Sequence, residues 1–175
     1  MPYMHMSTAD LTNASAFYPR THQDVRYALL SWGRSFPCMG IGPGKLCHLA
    51  FPIGIHPAGQ VWARSAQLFG VGMTLVGAGN VCPSDVQLKL IETLKPTVFL
   101  GMSSFALHLA NLAEANGIDL AASSVRKVVC SAETLSDAKR EKIAVSGVRN
   151  ERGRLDGSRS CGLRRHPDLD GHVRC

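Results

Sequence analysis

The 175-residue sequence has no hydrophobic run that approaches the ~20 apolar residues needed to cross a bilayer. Its first six residues, Met1–Met6, lack a basic segment followed by an apolar core, which is the pattern of a secretory signal. Both absences argue against a membrane partner and predict a cytoplasmic protein.

The sequence also lacks any CxxC pair. Its six cysteines are Cys38, Cys47, Cys82, Cys130, Cys161 and Cys175. None of them stands at zinc-ligand spacing from the seven histidines, so neither a metal centre nor a disulfide framework is supported. We therefore predict no metal site and reduced thiols in a reducing compartment.

Lysine and aromatic residues are absent from positions 146–175, which contain seven arginines and four acidic residues, or +3 of the chain's net charge of +6. No apolar periodicity is present there, so we predict an irregular basic tail. A nucleic-acid-binding arm is the alternative, but the acidic residues are interleaved with the arginines and no aromatic side chain is present to stack on bases. A nucleic-acid partner is therefore disfavoured. The composition is typical of out-of-frame reading of a GC-rich gene.

What the sequence does contain is an alternation of strand-length apolar runs with amphipathic segments. The pattern predicts strands over 46–52, 73–76, 97–101 and 127–130, and the helices between and around them are predicted over 21–36, 58–69, 84–95, 103–116 and 136–144. Such an alternation implies right-handed crossovers. The predicted fold class is α/β, a partial parallel sheet with helices on both faces, occupying residues 21–145 after an irregular N-terminal segment, residues 1–20.

Ser131-Ala132-Glu133 directly follows the last apolar run, at the strand end where parallel sheets hold ligands. Glu133 fits two interpretations: an acceptor for an amine or ribose hydroxyl, or a carboxylate favoured by the dipole of the next helix. His56 is equally open, either orienting a substrate carboxylate or packing within its loop. Ser103 and Ser104 are interpreted as a helix cap rather than as nucleophiles, since no His and Asp arrangement accompanies them.

Five motifs occur in a fixed order. They are Gly42-Pro43-Gly44-Lys45, an aromatic-Pro-x-Gly-x-His loop at Phe51–His56, Leu68-Phe69-Gly70, Leu94-Lys95-Pro96-Thr97 and Ser131-Ala132-Glu133. Together they resemble the amino-terminal domain of adenylate-forming acyl-CoA ligases, most closely the phenylacetate-CoA ligase branch, over residues 21–143. The resemblance implies that ATP adenylates a carboxylate and that coenzyme A then displaces AMP. The implied cofactors are ATP/AMP, CoA and Mg²⁺, and the implied partners are a nucleotide and a small-molecule carboxylate.

The resemblance also implies site residues, although no catalytic residue. The nucleotide-binding residues are Ser131, Ala132, Glu133 and Thr134. The acyl or aryl pocket residues are Phe51, Ile53, Gly54, His56, Gly101, Ser103 and Ser104. Ser131 replaces the family's glycine and narrows the space beside the base, and Thr134 stands where the family often has proline.

Three parts of the family pattern are missing. The region matching the phosphate loop, residues 7–15, has no glycine and contains Asp10, which would repel phosphate. Neither a Tyr-Gly-x-Thr-Glu motif, whose glutamate helps hold magnesium, nor a lysine-bearing small domain follows. If residues 155–158 are back-translated with one choice of GC-rich codons, the reading frame one base later encodes Ser-Thr-Glu. Such a frame would restore part of the missing Gly-x-Thr-Glu segment.

We therefore expect a truncated ligase without complete turnover. Two alternatives are a non-catalytic nucleotide- or acyl-binding module and a truncated sheet whose exposed central strand prevents stable folding. The carboxylic acid used and the oligomeric state are not predicted.

Overall fold

Six strands and six helices appear in a computed structural model that describes residues 4–8, 16–54 and 57–145. The strands are β1 (Met4–Thr8), β2 (Ala16–Arg20), β3 (Leu46–Leu49), β4 (Gly72–Leu75), β5 (Val98–Gly101) and β6 (Lys127–Cys130). The helices are α1 (His22–Gly33), α2 (Ser35–Cys38), α3 (Pro57–Leu68), α4 (Ser84–Leu94), α5 (Ser103–Ala115) and α6 (Asp137–Val145), with a 3₁₀ turn at Leu120–Ala122. None of these helices is both long and apolar enough to cross a membrane.

The last four strands form one parallel sheet in the order β4-β3-β5-β6. Cys47 of β3 lies opposite Met73 of β4 on one side and Val98 of β5 on the other, and Val98 lies opposite Lys127 of β6. The parallel sheet predicted from the sequence is therefore confirmed. Because the chain moves from β3 outward to β4 and then returns past β3 to β5, the strand order reverses between β3 and β5.

Both faces of the sheet are covered by helices, as predicted. On one face, Leu49 and Val129 pack with residues of α2 and α3, including Phe36 and Trp62. On the other, the core is built from the sheet and from α4, α5 and α6; its buried members include Ala50, Phe99, Val128, Leu88, Ile91, Leu109 and Ile143. Alternate residues of a strand point to opposite faces, which is why β5 contributes Phe99 to one core and Val98 and Leu100 to the other.

The first predicted helix begins as expected but ends early. Thr21 and Asp24 form a capping box, in which the Asp24 N–H donates to Thr21 Oγ1 at 3.2 Å and the Thr21 N–H donates to Asp24 Oδ2 at 2.9 Å. α1 ends at Gly33, and a separate short helix, α2, contains Pro37. The single helix predicted over 21–36 is therefore wrong, because a proline ring clashes with the carbonyl four residues earlier, here that of Gly33.

The prediction that residues 1–20 are irregular is wrong for β1 and β2. These strands pair antiparallel, with Met4 opposite Arg20 and Thr8 opposite Ala16. The pairing joins two segments that are separated along the chain, so the hydrophobic periodicity of either segment alone does not predict these strands. Most of the region compared with the phosphate loop, residues 9–15, and the predicted basic tail, residues 146–175, lie outside the described residues.

Candidate functional site

The carboxyl ends of the four parallel strands lie along one rim of the sheet. Since the strand order reverses between β3 and β5, the crevice beyond these two strand ends is where an open α/β sheet ordinarily holds a ligand. The residues predicted to line the acyl pocket belong to the segment after β3, to the last residue of β5 and to the first turn of α5. The loop after β6 carries the predicted nucleotide-binding residues.

The loop after β3 starts in the core and ends at the surface. Phe51 is fully buried within the core that α2 and α3 cover, so its side chain supports the loop from behind. Ile53 is half-buried and Gly54 is exposed. The Gln60 side-chain amide donates to both of their carbonyls, at 3.3 Å and 2.8 Å, and ties the loop to α3.

A glycine keeps this loop close to α3. A Cβ on Gly59 would lie 2.4 Å from the Pro52 carbonyl oxygen, so a larger residue would push the loop away from the helix. The Gly59 N–H donates to the same oxygen at 3.1 Å. His56, predicted to orient a substrate carboxylate, lies outside the described residues.

Gly101 ends β5 beneath the rim. Its backbone is buried, and a Cβ at this position would lie 2.7 Å from the Phe99 ring. Packing therefore requires a glycine here independently of any ligand. The Ser131 N–H donates to the Gly101 carbonyl at 3.2 Å, which extends the β5–β6 ladder by one step and brings the two predicted site segments side by side.

The carboxylate of Glu133 reaches across this junction to the first turn of α5. Its Oε2 accepts from Ser103 Oγ at 2.8 Å and from the Ser104 N–H at 2.8 Å, and its Oε1 accepts from Ser104 Oγ at 2.6 Å. Met102 occupies the N-cap position of α5 without a side-chain cap. The expected cap by Ser103 or Ser104 is therefore wrong: Glu133 caps α5 from another loop, and the two hydroxyls donate to it.

These contacts favour the charged form of Glu133. The hydrogen bond from the Ser104 hydroxyl, followed by that from the Ser104 N–H, lowers the pKa of the Glu133 carboxyl, and the nearby Lys139 ammonium lowers this pKa further. The dipole interpretation is correct in kind, but the helix concerned is α5 and not the helix that follows Glu133 in sequence.

The turn that aims Glu133 at α5 passes through an unusual backbone conformation. Ala132 has φ +69°, in the left-handed region that residues with a Cβ seldom adopt. Ala132, Glu133 and Thr134 are exposed at the rim, and Ser131 is half-buried. The backbone of this turn is thus open to a ligand, whereas both Glu133 oxygens already accept hydrogen bonds.

A second polar cluster lies below the rim. His48 of β3 is fully buried, and its Nε2 lies 3.1 Å from Gln87 Oε1 of α4. The Gln87 amide nitrogen donates to the carbonyls of Cys82 at 3.0 Å and Gly77 at 3.3 Å, which fixes Oε1 toward the histidine. His48 Nε2 therefore carries the proton, and the buried Nδ1 has no hydrogen-bond partner among the residues that the structure describes.

This cluster holds the loop after β4 at the rim. Burial lowers the pKa of His48, an effect that the hydrogen bond to Gln87 partly opposes. The His48 ring also stacks on Phe99, with centroids 5.9 Å apart. Gln87 shares the buried face of α4 with Leu88 and Ile91. A glutamine on such an apolar face was the available sequence signal for this cluster.

The two buried cysteines of the sheet, Cys47 and Cys130, are protonated and unreactive at neutral pH. Burial raises the pKa of Cys47 to about 12. Burial and the Glu133 charge raise the pKa of Cys130 to about 11. Thiols in this state are poor nucleophiles and poor metal ligands. In the ranges that the structure describes, no three His, Cys, Asp or Glu side chains are placed to bind a metal ion together.

No protein-family model matches the sequence, and no curated protein matches it. The fold does match solved structures. An open conformation of 2-hydroxyisobutyryl-CoA ligase in complex with 2-HIB-AMP and CoA is 20% identical, with a TM-score of 0.76 over 85% of this chain and 34% of that one. A long-chain-fatty-acid-CoA ligase from Archaeoglobus fulgidus is 16% identical, with a TM-score of 0.68 over 86% and 29%.

A third structure, o-succinylbenzoate CoA synthetase from Bacillus subtilis with a bound product analogue, is 16% identical, with a TM-score of 0.60 over 83% of this chain and 28% of that one. The chain thus spans about a third of the length of the ligases that it matches. At these identities the comparison shows the fold alone: the parallel sheet with helices on both faces matches part of each of these ligases.

Proposed function

We propose that the chain forms part of the ligand-binding region of an adenylate-forming CoA ligase of the phenylacetate-CoA ligase type, and that its rim binds an adenine nucleotide and a small aryl or acyl carboxylate. The observation that carries the proposal is the junction of the segments Gly101–Ser104 and Ser131–Thr134 at the carboxyl rim. The family resemblance assigns these segments to the acyl and nucleotide sides of one cavity. They adjoin here within the fold of such ligases.

The exposed turn after β6 suits a nucleotide through its backbone. Ala132 and Thr134 are exposed at the rim, and Ala132 has a left-handed backbone conformation. Ile53 and Gly54 would face a carboxylate substrate from the loop after β3, with Phe51 as the buried support. His56 is assigned to the same pocket by the resemblance alone.

The described residues support some cofactors of the proposed ligase reaction better than others. A nucleotide fits the turn at Ala132–Thr134, and CoA is carried over only from the family. The described residues offer no cluster of side chains suited to Mg²⁺, and we assign no step to that ion. A cytoplasmic location and small-molecule partners, without membrane or nucleic acid, are part of the same proposal.

Calorimetric titration of the 175-residue chain with AMP, and separately with phenylacetate, tests the binding proposal. We expect AMP to bind and Thr134→Trp, which blocks the turn, to abolish this binding. Thr93→Trp is the matched control, because Thr93 is an exposed threonine near the end of α4 at the opposite rim. Failure of both ligands to bind, or equal loss in the two variants, would reject the proposal.

Exchange of labelled pyrophosphate into ATP distinguishes a ligase from a non-catalytic binding module. We expect no carboxylate-dependent exchange, because residues 7–15 contain no glycine with which to surround a triphosphate. Binding of AMP without exchange supports the binding module. Exchange would show that this chain completes the adenylation step by itself.

A further inference from the structure

We infer that Glu133 is a positioning residue: its carboxylate locks the first turn of α5 to the β6–α6 loop and so sets the Ser103–Ser104 wall of the pocket, instead of contacting the nucleotide itself. This inference rests on the proposed function for the identity of the pocket. The lock itself is a property of the fold that can be measured without a ligand.

Within the described part of the chain, the hydrogen bonds to the Glu133 carboxylate all come from α5. Three donors from two consecutive serines, about 30 residues away in sequence, converge on its two oxygens at 2.6–2.8 Å. Hydrogen bonds to a carboxylate of this length are among the stronger ones in proteins. A ribose or amine donor would have to compete with all three contacts for the same oxygens.

Ser103 shows why the contact constrains the pocket wall. Its side chain is fully buried, and its hydroxyl donates to Glu133. Without the carboxylate this hydroxyl would have to find another acceptor or remain unpaired in the core, which is costly. The first turn of α5 would therefore shift when Glu133 is removed, although Glu133 itself is exposed.

Besides its contacts with α5, the loop that carries Glu133 is held by half-buried Leu135, which packs against the core. β6 is an edge strand of the four-stranded sheet, and Ile143 is the buried residue of α6 among those whose burial the structure describes. Ser131 is tied to Gly101 by one backbone hydrogen bond. The left-handed backbone of Ala132 then aims the next side chain at α5. The lock thus joins two adjacent rim loops at the proposed site.

The test combines amide exchange with a double-mutant cycle. In Glu133→Ala and in the more conservative Glu133→Gln, we expect the Ser104 amide proton to exchange about tenfold faster or more, since its charged acceptor is lost. Glu114→Ala is the matched control: it removes an exposed glutamate from the other end of the same helix and should leave Ser104 exchange unchanged. Unchanged Ser104 exchange in both Glu133 variants would overturn the lock.

AMP affinity then separates positioning from direct contact. If Glu133 acts through α5, Glu133→Ala and Ser104→Ala each weaken AMP binding, and the double variant binds no more weakly than the weaker single variant. Losses that multiply in the double variant, or full affinity in Glu133→Ala, would overturn the positioning role. If the wild-type chain binds no AMP, the proposed function fails, and faster Ser104 exchange would still establish the lock.

Discussion

Replacing Gln87 with methionine is the sharpest test of how the rim is supported from below. Gln87 makes three hydrogen bonds, one with His48 Nε2 and two with the carbonyls of Gly77 and Cys82. Methionine has a similar length and is apolar, so Gln87→Met removes these bonds without opening a large cavity. The loop after β4 would then lose its side-chain hydrogen bonds to α4, while the Gly77 N–H still donates to the Leu49 carbonyl.

The expected cost follows from the groups left behind. His48 is fully buried, and the contact with the Gly77 carbonyl is also buried, whereas the Cys82 carbonyl is reached through a partly buried contact. An unsatisfied buried donor or acceptor costs about 1–3 kcal/mol. Two such groups give about 2–6 kcal/mol, a large part of the ~5–15 kcal/mol that stabilises an ordinary domain.

Urea unfolding at pH 7.5, followed by tryptophan fluorescence, measures this loss. Trp32 and Trp62 lie on the opposite face of the sheet, so they report unfolding without touching the mutated site. Gln67→Met is the control, because Gln67 is exposed on α3 and its replacement should change stability by less than about 0.5 kcal/mol. A Gln87→Met variant as stable as this control would refute the assigned network.

Three further predictions follow from single groups. Because the folded-state pKa of His48 is lowered, only the unfolded chain takes up this proton as pH falls below about 6.5, so the free energy of unfolding should fall by up to ~1.4 kcal/mol per pH unit there. Urea unfolding at pH 7.5 and 5.5 should show a smaller loss of stability in His48→Gln than in the wild-type chain. Equal losses would contradict a neutral, buried His48. Lys95 ends α4 with φ +52°, so Lys95→Gly should raise the free energy of unfolding by up to ~1 kcal/mol, and a lower urea midpoint would count against it. Ile143 lines an apolar cavity of about 40 Å³ that is enclosed by α4, α5, α6 and the sheet, so Ile143→Ala should cost about 2–4 kcal/mol in the same assay, and an unchanged midpoint would show that α6 does not stabilise this core.

The alternating architecture could be predicted because each strand of the parallel sheet has a local sequence signal. Val128–Cys130 is an apolar run between the basic residue Lys127 and Ser131, and it lies in β6. The capping box at Thr21 and Asp24 is equally local. Pro37 was an available signal for the break between α1 and α2, so that error lay in the interpretation and not in the sequence.

The contacts that define the site could not be predicted, because they depend on strand order. Glu133 meets Ser103 and Ser104 only since β5 and β6 are neighbours, and His48 meets Gln87 only since α4 crosses the face of β3. Each pair is separated by about 30 or 40 residues, a distance over which local periodicity carries no information. The resemblance named Glu133 and Ser103 as separate site residues but did not connect them.

The most direct test of the central claim is an NMR titration of the isotope-labelled chain with a non-hydrolysable phenylacetyl-adenylate analogue. We predict that amide shifts are confined to the carboxyl rim, at Gly101–Ser104 and Ser131–Thr134, while residues at the opposite rim such as Lys95 and Arg126 stay unchanged. No shift at millimolar analogue, or shifts that avoid both rim segments, would contradict a nucleotide and carboxylate site in this fold.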